Sequence, residues 1–543
     1  MTLPAFHLVL SLHTPPMTAQ RFYLRPTVQV DPLVHSWYAH PYLIAPATRA
    51  QYIANAHLPI MKSFVRSPQA HVAALRNPEM LGGPFIQYPA TRQADIEALR
   101  RKTETEAAQQ LELAQALKAL YALLRDRADG TSLESLYASV PEQLRGLVEL
   151  KYDVNHQPGF RLFERLLYAS PLASSAGQSV ALTLSERESR PFVLSTPRLP
   201  GAEELHLRVP FSHPALDALF AMRTQPAVVD EVARRLEVPE QELGRFRALF
   251  QAEPPRRGGP PPDAPRARYF GHACVAVESP RVCVLVDPWI AYGQEGEPGR
   301  FSYADLPERI DFVLITHAHV DHAHLETLLQ LRHRIGQIIV PVSSGAMEDP
   351  SLKLVLESVG FRNVREVTEL ERVEFEGGWL CGVPFLGEHG DLDIRTKQGY
   401  FIHLEGKSVL LVADSRNIES RLYARVRDCL GPADVVFVGM ECKGAPVSWL
   451  YGPFFPRPLT RAMDQSRRLN GSDSQLGLSL VHEMGARRVF CYALGAEPWL
   501  RHIVAIEYNE DSLAMCEYRN LEARCAERGV ASEKLFGRRD IPL

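Results

Sequence analysis

The sequence predicts an α+β protein in two parts, an N-terminal mixed α/β domain over residues 1–265 and a layered α/β domain over residues 266–543. Three observations carry this expectation. A chain of 543 residues is longer than one ordinary hydrophobic core supports. Residues 253–266 read Glu-Pro-Pro-Arg-Arg-Gly-Gly-Pro-Pro-Pro-Asp-Ala-Pro-Arg, and this proline- and glycine-rich run interrupts helix and sheet alike, as an extended linker does. Beyond it, short apolar runs alternate with turns and helical stretches, the pattern of a sheet layered with helices.

Before the linker, residues 92–127 place Ile96, Leu99, Leu111, Ala114, Leu117, Leu120 and Leu124 among charged and amide side chains. That periodicity predicts a helix stopping near Gly130. Shorter helices are expected over 215–222 and 241–250, and strands over 180–184 and 191–195. His35, His40, His57, His71 and His156 show no catalytic spacing, so surface or hydrogen-bonded core positions are expected for them.

Composition excludes several classes. With 45% hydrophobic and 23% charged residues, the chain has the balance of a soluble globular protein. A net charge of -4 against 60 basic residues argues against a nucleic-acid binder. No apolar run approaches the ~18–20 residues that span a bilayer. The run 6–12 contains His7 and lacks preceding basic residues, a poor secretory signal, and the residues before Met17 read as an ordinary N-terminal extension. All eight cysteines lie in the second half without a C-x-x-C pair, which removes zinc-finger and thioredoxin readings. Cys283 and Cys491 sit inside apolar runs, so buried free thiols and a reducing cytoplasm are expected. No fixed-period repeat is visible.

After the linker, strands are expected over 274–277, 282–286, 312–315, 338–342, 409–412, 435–438 and 489–492, with helices over 325–334 and 475–484. The strand ending at Thr316 runs directly into His317-Ala318-His319-Val320-Asp321-His322. His317 and His319 are two apart in an extended segment and point the same way. Asp321 and His322 follow at a helix start. Imidazole and carboxylate are ligands for first-row transition metals, and this density of donors outweighs a coincidental polar loop. Asp287 and Asp414 end two further apolar strands, and Glu441 follows another.

The His-x-His-x-Asp-His pattern, with Asp287 and Asp414 at strand ends, resembles the metallo-β-lactamase superfamily. The resemblance implies an αβ/βα sandwich with two metals at one edge of its sheets and Asp414 as the bridging carboxylate. The superfamily places its third histidine on a strand end that falls around 384–390 here, where Glu388 and His389 are both candidates; successive residues on a strand face opposite ways, so one of the two is expected to bind. The sequence also lacks the last histidine: after Asp414 only His482 and His502 remain. These departures resemble one branch, the chloramphenicol-type β-hydroxylases, which are di-iron oxygenases on this fold. The blocks that carry the likeness are Gly387-Glu-His-Gly-Asp-Leu-Asp393, Gly439-Met-Glu-Cys442, Ser448-Trp-Leu-Tyr-Gly452 and Met463-Asp-Gln-Ser-Arg-Arg468, with Gly82-Gly-Pro-Phe85 and Leu194-Ser-Thr-Pro-Arg-Leu199 in the first domain.

This branch implies β-hydroxylation of an amino acid held as a thioester on a nonribosomal peptide synthetase carrier domain, in antibiotic biosynthesis. It implies two iron ions, O₂ as co-substrate, an external reductase and a homodimer. Asp321, His322 and Asp414 would hold one iron, and His317, His319, Glu388 and the shared Asp414 the other. Glu441 is assigned as a further ligand, with support of a ligating histidine as its rival role. Independently, three histidines beside four carboxylates (Asp321, Glu388, Asp414, Glu441) come closer to the donor sets of di-iron proteins than to zinc hydrolases. The alternative is a zinc-dependent hydrolase of an ester, lactone or phosphodiester, with metal-bound hydroxide as nucleophile. A metal-free binding module is disfavoured by the complete donor set. The first domain is expected to cover the cleft, dimerise or dock the carrier. Core packing is the expectation for Trp449, Tyr451, Phe454 and Phe455, and a solvated helix face for Arg467 and Arg468.

Overall fold

The computed structural model describes residues 20–77, 80–184, 190–201, 203–256, 258–259 and 262–543. The expectations for residues 6–12 and for the segment before Met17 lie outside the described residues, as does part of the linker.

Two seven-stranded sheets form the C-terminal part. The first has the order Val364–Val367, Ile335–Pro341, Ile310–Leu314, Cys283–Val286, Cys274–Glu278, Arg266–Gly271, Arg539–Pro542. Its first four strands run parallel and the remainder antiparallel. The second has the order Arg372–Phe375, Gly378–Val383, Gly399–Leu404, Lys407–Leu411, Val435–Gly439, Arg488–Tyr492, Ala531–Lys534. Val435-Val-Phe-Val-Gly439 is buried throughout, as a central parallel strand covered on both faces must be.

Three apolar layers follow from these faces. Val275, Val284, Leu314, Tyr400, Leu411 and Phe437 fill the space between the sheets. Helices Arg421–Leu430, Ser474–Glu483 and Leu513–Ala526 cover the outer face of the second sheet. Helices Leu325–Leu331 and Leu352–Ser358 cover the first, and their layer continues without a break into the N-terminal half. The fold is therefore the expected αβ/βα sandwich with a mixed domain packed against one side.

The N-terminal half holds a four-stranded antiparallel sheet, Trp37–Tyr38, Val28–Val34, Gln178–Leu184, Glu204–Leu207, surrounded by helices. Val28–Val34 is absent from the sequence reading because Asp31-Pro32 interrupts its apolar run, and an internal proline demotes a strand. The helix expected over 92–127 divides into Gln93–Glu106 and Ala108–Arg127 at Ala107. Thr103 and Thr105 turn their hydroxyls back onto the Leu99 and Arg101 carbonyls just before the break, a bond that bends helices. Residues 191–195 form a turn rather than a strand: Val193 N–H donates to the His502 carbonyl and the Ser195 hydroxyl to that of Phe85, so loops satisfy this segment.

One buried ionic network joins the halves. Glu326, on the helix that follows the histidine cluster, accepts from Arg190 at 2.8 Å and from the Tyr38 hydroxyl at 2.6 Å. Arg190 also meets Asp31 at 2.7 Å, and Arg198 approaches the same carboxylate at 3.1 Å. All eight cysteines are free, and among the described residues no helix is long and apolar enough to cross a membrane. Arg190→Leu would leave the buried Glu326 carboxylate without its countercharge and Asp31 with Arg198 alone. The expected cost is about 3–5 kcal/mol, read as a lower denaturation midpoint; a loss below about 1 kcal/mol would match a surface pair instead.

Candidate metal centre

Strand register decides which side chains meet. Val286 pairs with Val275 in an antiparallel step and with Leu314 in a parallel one. The turn at His272, Asp287 and the segment His317–His322 therefore emerge at the same edge of the first sheet. Across the sandwich, Glu388 and His389 follow Gly378–Val383, Asp414 follows Lys407–Leu411, and Glu441 follows Val435–Gly439.

Six of the seven expected donors converge, with two additional histidines. The grouped ligand atoms are those of His317, His319, Glu388 and His389; of His317, His322 and Asp414; and of His272, Asp321 and His322. His319 Nδ1 lies 2.7 Å from Glu388 Oε1, and His317 Nε2 lies 4.0 Å from Glu388 Oε2 and 3.9 Å from Asp414 Oδ2. His322 Nε2 lies 3.0 Å from the same Asp414 oxygen and 3.7 Å from Asp321. Donors about 2.1 Å from one ion sit about 3.0 Å apart when adjacent and about 4.2 Å apart when opposite, so these separations fit shared coordination. The side chains are nearly all buried, yet His317 Nε2, His322 Nε2, Glu388 Oε2 and Asp414 Oδ1 make no hydrogen bond of regular geometry among the described residues, although His389 Nδ1 lies 2.7 Å from Glu388 Oε2. Buried polar atoms are normally paired, and a pair of cations would satisfy all four. The donor chemistry and the unpaired atoms both fit a di-iron centre.

The surroundings fix which nitrogen of each ring faces inward. Asp287 accepts from the Thr316 N–H and hydroxyl, both at 2.7 Å, and meets His322 Nδ1 at 2.8 Å. His322 Nε2 is thereby left for the metal, the arrangement in which an outer carboxylate orients a ligating histidine. His317 Nδ1 contacts the Thr316 hydroxyl at 3.0 Å, which likewise turns Nε2 inward. His319 is reversed: its Nε2 meets the Tyr451 hydroxyl at 2.9 Å and Nδ1 faces Glu388.

Glu388 and His389 do not face opposite ways, as strand alternation would have them. Residues 387–390 form a tight turn, with φ of 71° at Gly387, 64° at Glu388 and 59° at Gly390, so strand alternation does not apply. Both side chains reach the cluster, with His389 Nδ1 2.7 Å from Glu388 Oε2. The glycines are obligatory here: a Cβ on Gly390 would lie 2.5 Å from Val447 Cγ2, and one on Gly387 2.7 Å from Arg416 Cβ. Arg467 braces the turn by donating to the Gly390 carbonyl at 2.7 Å, and Arg468 donates to Gly444 at 2.8 Å, so both do more than line a solvated helix face. Left-handed backbone at Glu388, Asp287, His272 and Ala413 gathers around one cluster, as strain does at functional sites.

His272 is the residue that sequence reasoning missed. Its Nε2 lies 3.1 Å from Asp321 Oδ2. It belongs to no motif, but pairing the first two strands of the domain as a hairpin places it at the edge that carries Asp287. Glu441 stands apart: its carboxylate enters none of the grouped sets. It remains within electrostatic reach, since burial and then Asp414, Asp321 and Glu388 push its pKa up. His482 is exposed. His502 is buried with His324 and Glu326, but Arg190 already neutralises that carboxylate. Core packing holds for Phe454, whereas Tyr451 is both buried and bonded to His319.

Charge within the cluster is mutually arranged. Burial opposes ionisation of His322, but Asp414, Asp321 and Asp287 outweigh it and raise its pKa. Burial likewise opposes ionisation of Glu388, and His319 with His389 overcome it, so the carboxylate stays ionised. His317, buried among three other imidazoles, is held neutral and ready to donate a lone pair.

Comparison with known proteins agrees with this geometry. Residues 23–254 match the family model "Diiron non-heme beta-hydroxylase N-terminal domain", and residues 283–446 match a β-lactamase superfamily domain. The chain is 38% identical over 534 residues, covering 96% of it and 100% of the relative, to the 4-amino-L-phenylalanyl-[CmlP-peptidyl-carrier-protein] 3-hydroxylase of Streptomyces venezuelae. The crystal structure of CmlA, a di-iron β-hydroxylase from Streptomyces venezuelae, superimposes with a TM-score of 0.90 at 37% identity, covering 97% of this chain and 100% of that one. A metal-dependent hydrolase of Methanopyrus kandleri is 28% identical over 158 residues, 28% of this chain and 62% of that protein. The chain belongs to the CmlA-type family of di-iron non-haem β-hydroxylases, in which an N-terminal domain of its own kind is joined to a β-lactamase-superfamily domain.

Proposed function

We propose that this chain hydroxylates the β-carbon of an amino acid carried as a thioester on a nonribosomal peptide synthetase carrier domain. The observation that carries the reading is the carboxylate of Glu388, held between His319 and His389 in a buried site on a chain of this family. The Streptomyces venezuelae relative is named for an aminoacyl group on a peptidyl carrier protein, which supports a carrier-borne substrate here. The match to a di-iron β-hydroxylase N-terminal domain and the full-length hydroxylase relative favour this reading over a zinc hydrolase.

The balanced reaction converts the C–H bond, O₂, two electrons and two protons into C–OH and water. The chain holds no nucleotide-binding fingerprint, so the electrons are assigned to an external reductase. When bound, two irons supply the activation of O₂. The ligands we propose are Asp321, His322 and Asp414 for one position, and His317, His319, Glu388 and the shared Asp414 for the other. His272 and His389 lie beside Asp321 and Glu388, and Glu441 borders the pair as a further carboxylate. All these donors come from one chain, so the expected homodimer is not needed to complete the site.

The remaining residues exclude water and set direction. The Asp321 side chain is 25% exposed and that of Asp414 12%, whereas those of His317 and His322 are fully buried. Substrate would therefore approach on the Asp321–Asp414 side.

Two outcomes test the reading. A carrier domain loaded with single amino acids and incubated with this protein, iron, a reductant and O₂ is expected to gain one oxygen atom on one aminoacyl group by mass spectrometry. No gain across aromatic and aliphatic amino acids, in a preparation with two irons per chain, would sink it. Glu388→His is expected to fold and bind metal but to lose hydroxylation by about 100-fold or more. Undiminished turnover would remove Glu388 from the ligand set.

A further inference from the structure

We infer that Tyr451 is a positioning residue for the metal ligand His319, and that the N-terminal domain holds it in place through Tyr42. This rests on the metal-centre reading above and adds a specific task for the first domain.

The direction of the hydrogen bonds follows from the tautomer. A neutral imidazole carries one N–H, and the nitrogen that binds a metal must be the other one. With a metal bound at His319 Nδ1, the nitrogen that faces Glu388, Nε2 carries the hydrogen and donates to the Tyr451 oxygen, 2.9 Å away. That oxygen accepts, and the Tyr451 hydrogen is free to donate to the Tyr42 hydroxyl at 3.1 Å. His319, Tyr451 and Tyr42 are all buried, so water does not readily substitute for either bond. An imidazole whose outer N–H has a fixed acceptor is held in orientation and made a better donor.

The first domain is shaped to hold this tyrosine. Helix Pro46–Tyr52 passes into a π-helical turn over Ile53–His57 before continuing as Leu58–Arg66. Pro59 explains the turn: it has no N–H for the Asn55 carbonyl, and its ring would crowd that group. Leu58 N–H accordingly bonds back to Ile53, five residues earlier. The widened turn and the residue just before it each present a side chain to the segment that carries Tyr451. The Tyr52 hydroxyl donates to the Leu450 carbonyl at 2.7 Å, and Asn55 Nδ2 to that of Pro453 at 2.8 Å. Phe454 packs against both Tyr42 and Tyr52, with ring centroids 5.6 and 5.4 Å away. Tyr451 is thus clamped on both sides in sequence, and its ring is directed at one ligand of one metal position.

The test uses the full chain and Co²⁺ alone, whose optical bands report ligand geometry without requiring turnover. Failure of the hydroxylation proposal would leave this measurement unaffected. Tyr451→Phe removes only the hydroxyl. It is expected to weaken Co²⁺ at the His317–His319–Glu388 position by about 10–100-fold, with shifted bands there, while the Asp321–His322 position and the secondary structure stay as in the unaltered protein. Tyr42→Phe is expected to act in the same direction by a smaller factor, and the double variant to match Tyr451→Phe, because both act through one chain of bonds. Unchanged affinity and bands in Tyr451→Phe would overturn the proposal. So would equal weakening at both positions, the sign of general loosening. Tyr42→Phe indistinguishable from the unaltered protein would overturn the part given to the N-terminal domain.

Discussion

Buried donor and acceptor atoms that converge without regular hydrogen bonds are the constraint on which the rest of the structure depends. Imidazole nitrogens and carboxylate oxygens meet at the sandwich edge with several atoms unpaired, a configuration too costly to keep unless cations satisfy it. Everything nearby can be read as a device for keeping those atoms convergent. Asp287 and Thr316 turn two rings, the glycine-flanked turn presents Glu388 and His389 together, and Arg467 ties that turn down. The backbone adopts left-handed geometry at several of these points, which a rigid pair of sheets can enforce and a mobile loop could not.

The two halves divide the work unequally. The sandwich supplies all the candidate ligands, from strand ends that register places side by side. The first domain contributes what lies behind them: Arg190 and Tyr38 on the helix that follows the histidine cluster, and Tyr42 and Tyr52 on the segment that carries Tyr451. One apolar core runs through both. The proline-rich stretch separates the halves in sequence while their packing makes them one body in space.

Much of the centre was legible in the chain. His317, His319, Asp321 and His322 announce themselves because strand and helix periodicity put close neighbours on one side, and Asp414 because it ends an obvious apolar strand. The layering of strands with helices was legible from the alternation of runs, and its arrangement as a sandwich from the resemblance to the metallo-β-lactamase superfamily. What escaped reading depends on geometry that no local pattern encodes. His389 was set against Glu388 by a rule for strands, and the backbone there is a turn. His272 has no motif and is found only through the pairing of two strands. Val28–Val34 was hidden by its internal proline, and the break at Ala107 by a periodicity that continues across it. Tyr451 looked like one more core aromatic, since nothing in sequence distinguishes packing from a bond to a distant ring.

The pairing of Arg539–Pro542 with Arg266–Gly271 has a kinetic consequence. Arg266–Gly271, the first strand of the His272 hairpin, remains an open sheet margin until a segment from the far end of the domain arrives. During synthesis that margin is a template for adhesion between nascent chains, and it is sealed only by a contact of very long sequence separation. Production of this protein should therefore be governed less by its final stability than by how long that seam stays unclosed.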